Sequence, residues 1–113
     1  MTTGLLTPNE VVLQLAELGR ELDASVRTLR EAELDAVQKR HTADLVESRA
    51  FVDAEGSAEL RKHLARLGAA KAEDEALIAE SVVRYLRTKI RAIELRVEIG
   101  RSMGASLRSE RQS

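Results

Sequence analysis

Apolar positions along this chain repeat with a helical period. In the last third, Leu86, Ile90, Ile93, Val97, Gly100, Gly104 and Leu107 are spaced 4, 3, 4, 3, 4, 3. Strands alternate every second residue, so this spacing predicts a helix with a coiled-coil seam. The first half carries a matching row: Leu15, Leu18, Leu22, Leu29, Ala32, Ala36, Ala43 and Ala50, with Ser25 filling one place. A second track of Val26, Leu34, Val37, Leu45 and Val52 drifts off that row, which predicts a local departure from strict heptads. The row turns from leucine to alanine after Leu29, so a partner helix could approach more closely there.

End signals place the helices. Thr7 reads as an N-cap, Pro8 as the first helical residue and Glu10 as the third, which completes a capping box. Leu6 and Val11 have the spacing of a hydrophobic staple. Gly56 can take the left-handed conformation that ends a helix, and Ser57 can cap the next, with Glu59 in its first turn. The expected architecture is all-α: a long antiparallel two-helix hairpin, coiled-coil-like, assembling into a helical bundle. Residues 1–113 form one domain, with helix 1 about 8–55, a turn at 56–57, helix 2 about 58–107 and a frayed tail at 108–113. Leu60, Leu64 and Leu67 are expected to start the helix 2 stripe. Gly68 is its weakest point, but no proline or cap follows, so continuity is favoured.

With the turn at Gly56-Ser57, Leu15 should meet Val97, Leu22 meet Ile90, Leu29 meet residues 84–86, Ala36 meet Leu77-Ile78, and Ala50 meet Leu64. Each helix would be roughly 70 Å long at 1.5 Å per residue. Two helices cover only one face of each other. Val83, Leu95, Ile99 and Met103, which widen the stripe of helix 2, are therefore expected to stay exposed and bind a partner, another copy or a foreign protein.

Composition supports long helices: 33% of residues are charged, aromatics are 2%, and there is one proline. No cysteine is present, which excludes disulfides and thiolate metal sites and suits a reducing cytoplasm. The N-terminal stretch lacks a basic region and a long apolar run, so no signal peptide is read there. No run approaches the roughly 20 apolar residues of a membrane span. The net charge of −1 is uneven. Residues 81–113 carry eight basic and three acidic side chains, or +5, which leaves −6 for residues 1–80. Arg84, Arg87, Arg91 and Arg101 could form a nucleic-acid-binding row. Only Tyr85 is there to stack a base, however, and Arg91 and Arg96 should fall near Glu17, Glu21 and Asp23. Pairing within the chain is the favoured reading.

Candidate chemistry is sparse. The pairing should put His41 near Ala72 and His63 near Ala50, far apart, and neither has a metal-ligand spacing. Glu73-Asp74-Glu75 lacks the alternation and glycine of a calcium loop. The serines at 81, 102, 106 and 109 have no histidine nearby to act as base. No catalytic, metal or cofactor-binding residue is expected, and no small-molecule substrate. Gly100 and Gly104 have the spacing of a close helix contact, or of a fraying end.

Ala54-Glu55-Gly56-Ser57 with Arg61-Lys62, then Arg84-Tyr85-Leu86-Arg87 and Gly100-Arg101-Ser102, resemble a pattern in small helical proteins of actinobacterial phages and prophages. The similarity covers the latter half of the chain. The resemblance implies an accessory protein of the phage early region, often encoded near recombination and replication genes, in the host cytoplasm, with no catalytic residues. It leaves two functions open: binding a host or phage protein through a helix face, or binding nucleic acid through the basic half of helix 2.

Overall fold

A computed structural model describes residues 7–112, with side chains as far as residue 110. The protein is all-α: helix α1 spans Pro8–Asp53 and helix α2 spans Ala58–Gln112, joined as a helical hairpin. No strand occurs among the described residues. The expected staple residue Leu6 lies outside them.

The helix starts follow their capping signals. The Glu10 amide donates to the Thr7 hydroxyl at 3.2 Å, and the Thr7 amide donates to the Glu10 carboxylate at 3.1 Å. Two of the orphan donors at the helix start are thus satisfied reciprocally. At the turn, the Ala54 amide makes the last α-type bond, to the Ala50 carbonyl at 3.0 Å. Gly56 then takes a φ of 114°, which side-chain-bearing residues rarely adopt. The Leu60 amide donates to the Ser57 hydroxyl at 3.2 Å and starts α2. α1 ends two residues earlier than the sequence reading places it. α2 passes through Gly68 unbroken and continues to Gln112, so the expected frayed tail is helical. No proline or glycine follows Leu107 to stop it.

The contacts divide into two compact units. One unit joins α1 as far as Thr28 to α2 from Leu86 onward; the other runs Leu29–Tyr85. The first unit packs the two segments antiparallel around large aliphatic side chains. Val11, Leu86 and Ile93 are buried in it, and Leu15, Leu18, Leu22, Ile90, Val97 and Leu107 are half-buried. Buried Ser25 and Gly104 also sit at its seam. Gly100 permits a close approach: a Cβ placed there would stand 2.7 Å from the Leu15 Cδ2. Gly104 faces Val11 less tightly: a Cβ there would stand 3.5 Å from the Val11 Cγ1, an ordinary contact distance. Consecutive seam glycines therefore act as contact points for leucine and valine, and the helix is intact through both.

The unit Leu29–Tyr85 is built on small residues. Ala36, Ala43, Ala65, Ala69, Ala76 and Ala79 are buried, and Ala76 is 0% exposed. Leu29 and Ala32 pack against Ala36, Ala79 and Val83. Here three expectations are corrected. Leu60, Leu64 and Leu67 do not start the α2 seam: all three are exposed, Leu67 by 74%. Counting back from Leu86 in steps of three and four reaches Val83, Ala79, Ala76, Ala72, Ala69 and Ala65, and these face α1. Val83 therefore belongs to the core at 7% exposure and is no part of an exposed flank. Val26, Leu34, Val37, Leu45 and Val52 are exposed, so the α1 seam keeps its heptads and the second track is surface.

The pairing register also shifts. Leu15 meets Gly100 rather than Val97, Ala36 meets Ala79 rather than residues 77–78, and Ala50 meets Gly68 rather than Leu64. The turn occupies Ala54–Ser57, four residues rather than two, so facing positions do not follow from a tight two-residue reversal.

Candidate functional site

Arg40 and Arg61 each tie the two helices of the unit Leu29–Tyr85 together. Arg40, on α1, spans two turns of α2. Its Nε and Nη2 donate to the two Glu80 carboxylate oxygens at 3.1 and 2.8 Å, and its Nη1 donates to Glu73 at 2.6 Å. Glu73 and Glu80 are seven residues apart and so share a helix face. The Arg40 hydrogen bond holds the Glu80 carboxyl below the usual carboxylate range, with desolvation opposing and the Arg40 and Arg84 charges assisting. Bonding to both glutamates keeps Arg40 charged. Because the folded state depresses the Glu80 pKa, its contribution is present above the ordinary carboxylate range and lost as pH falls through the depressed value. Glu80→Gln is expected to melt below the unsubstituted protein at pH 7. The gap should close below about pH 4. A gap unchanged from pH 7 to pH 3 would show that the charge of Glu80 does nothing.

Arg61 closes the other end. Its Nε and Nη2 both donate to the Phe51 carbonyl, at 3.1 and 3.0 Å, and its guanidinium lies 4.3 Å from the Phe51 ring centroid. That carbonyl belongs to the last turn of α1, which has no basic residue of its own. α2 thus supplies the cation that satisfies the end of α1. Neither arginine stands out in the sequence, because the cross-helix partner of each is apparent only with the register.

The predicted partner-binding residues separate. Leu95, Ile99 and Met103 lie exposed on one side of α2 in the first unit, and Ile99 is 52% exposed. Ile99 and Met103, with Val11, Leu15 and Arg96, line a groove of about 200 Å³ against α1. Val83 is buried in the other unit and cannot contribute. The basic residues also divide. Arg84 belongs to the unit Leu29–Tyr85, and Arg87, Arg91 and Arg101 to the first. All four are exposed, and Arg84 and Arg87 have interactions within the protein. Arg91 and Arg96 make no ion pair with Glu17, Glu21 or Asp23 among the described residues, which corrects the expected pairing. Arg40 of α1 does pair across the helices, with Glu73 and Glu80 of α2.

His41 and His63 are both exposed. Among the described residues no three His, Asp or Glu side chains are grouped to hold a metal ion. Glu73 of the acidic cluster serves Arg40, whereas Asp74 and Glu75 face solvent. No described helix is long and apolar enough to cross a membrane.

These features define a paired-helix protein with exposed apolar and basic helix faces. No family model matches the chain, and no curated protein or solved structure shows significant similarity to it.

Proposed function

We propose that the chain is a non-enzymatic interaction protein that binds a protein partner through the α2 face at Leu95, Ile99 and Met103. The observation that carries the reading is that these three large apolar side chains remain exposed on the first unit although its seam is filled. Exposed apolar faces rimmed by polar residues mark interaction sites; here Glu98, Ser102 and Ser106 form the rim. The resemblance to phage accessory proteins makes the partner a host or phage protein and the setting the host cytoplasm. A second reading, nucleic-acid binding in recombination or replication, draws on the exposed Arg91 and Arg101.

Affinity capture from a host lysate, with unsubstituted protein and Ile99→Asp compared side by side, tests the first reading. A partner retained by the former and lost from the latter, at unchanged helicity, supports it. Identical captured sets overturn it. Titration of labelled single-stranded and duplex DNA tests the second. Backbone binding would weaken steeply with salt and vanish in the pair Arg87→Glu, Arg91→Glu.

A further inference from the structure

A second apolar row runs along α2 within the unit Leu29–Tyr85, on the side turned away from α1. Leu60, Leu64 and Leu67 form one half of it, and Ile78, Ser81 and Tyr85 the other. Lys71 and Asp74 occupy the two places between. All eight positions follow 4, 3, 4, 3, 4, 3, 4 spacing without a gap, and all eight are exposed. At 100° per residue, this row lies about 160° around the helix from the alanine seam. Exposed Leu77 and Val82 widen it on either flank. A helix with regular seams on opposite sides is built to be covered twice.

The order of residues in the row says what covers it. We infer that this face pairs with the same face of a second copy, antiparallel, about a twofold axis between Lys71 and Asp74. In that register Lys71 meets Asp74 of the second copy, and Asp74 meets its Lys71. Leu67 then meets Ile78, Leu64 meets Ser81, and Leu60 meets Tyr85. Every large apolar residue of one half faces the other half, and the only charges at the seam neutralise one another. On the flank, Ala70 meets Leu77. A parallel pair in register would instead stack Lys71 on Lys71 and Asp74 on Asp74, like on like in a partly desolvated seam. The row is therefore self-complementary in one orientation and self-repelling in the other, as an isologous contact requires. Because the two seams of α2 are opposite, the paired units would form a flat layer of four helices in the order α1, α2, α2, α1. A closed bundle would need adjacent seams.

Sedimentation at protein concentrations on the order of 100 µM tests this, allowing for a small contact of modest affinity. The expected result is a dimer. Lys71→Asp and Asp74→Lys should each weaken self-association by about a hundredfold, since each creates two like-charge contacts. An equimolar mixture of the two variants should dimerise again, because acid then meets base at both places. Ile99→Asp should leave this dimer unchanged, which separates it from the partner face of the other unit. Orientation is read by disulfide cross-linking, with no native cysteine to interfere. Leu67→Cys mixed with Ile78→Cys should cross-link. Leu67→Cys alone should not, since its two copies would be roughly 16 Å apart along the axis. A monomer at the highest concentration, a dimer indifferent to both charge reversals, or self-cross-linking of Leu67→Cys would each overturn the assignment. All of these positions are exposed, so circular dichroism should show unchanged helicity in every variant.

Discussion

Ile93→Ala is expected to lower the free energy of unfolding by about 2–4 kcal/mol, read from urea or guanidinium denaturation followed by circular dichroism. Ile93 is 1% exposed and is the largest fully buried side chain among the described residues. Its removal costs the transfer of its methyl and methylene groups and leaves a void. The neighbours that could collapse into that void are themselves held by the seam. Ile90, three residues earlier and only half-buried, provides the comparison: Ile90→Ala should cost visibly less. Equal losses at the two positions would mean that burial at Ile93 is not what matters.

A loss of similar size is expected where hydrophobicity alone would forecast a gain. Ala76→Leu places a larger, more apolar side chain at a coiled-coil seam position, the substitution that commonly strengthens such helices. Ala76 is 0% exposed, and Ala69 and Ala79 on the same seam are 4% exposed. Residues this small are buried only if the helix backbones stand close, so no space exists for three more carbons. Overpacking of this kind costs about 1–3 kcal/mol. The control is Leu67→Ala on the exposed face, which should change monomer stability by less than about 0.5 kcal/mol. Should Ala76→Leu raise the melting temperature, the helices are not as close as the buried alanines require.

The same closeness explains what could and could not be read from the sequence. Caps were legible because they depend on three or four adjacent residues: Thr7 with Glu10, and Gly56 followed by Ser57. The first unit's seam was legible because Leu86, Ile93 and Val97 are large and their spacing is regular. In the unit Leu29–Tyr85 the period was equally regular, but it was carried by alanine, which is as common on helix surfaces as inside. The larger Leu60, Leu64 and Leu67 drew the assignment to the wrong face. Continuing the three-four count back from Leu86 would have found the correct one and placed Val83 in it. Arg40 and Arg61 could not be found from local pattern at all. Their partners lie 33, 40 and 10 residues away, and only the register of the hairpin brings them together.

A row of alanines gives two helices affinity but no address. Ala65, Ala69 and Ala72 offer α1 the same ledges as Ala72, Ala76 and Ala79 one heptad on, so at these positions a slide of that length would change the packing little. The Arg40 fork removes that degeneracy. In the observed alignment it grips Glu73 and Glu80. Slipped one heptad forward along α2, it would sit between Glu80 and Arg87; slipped back, between Arg66 and Glu73. Either displacement exchanges one attraction for a repulsion. The guanidinium therefore works as a detent on an otherwise smooth track, selecting one of several nearly equal alignments.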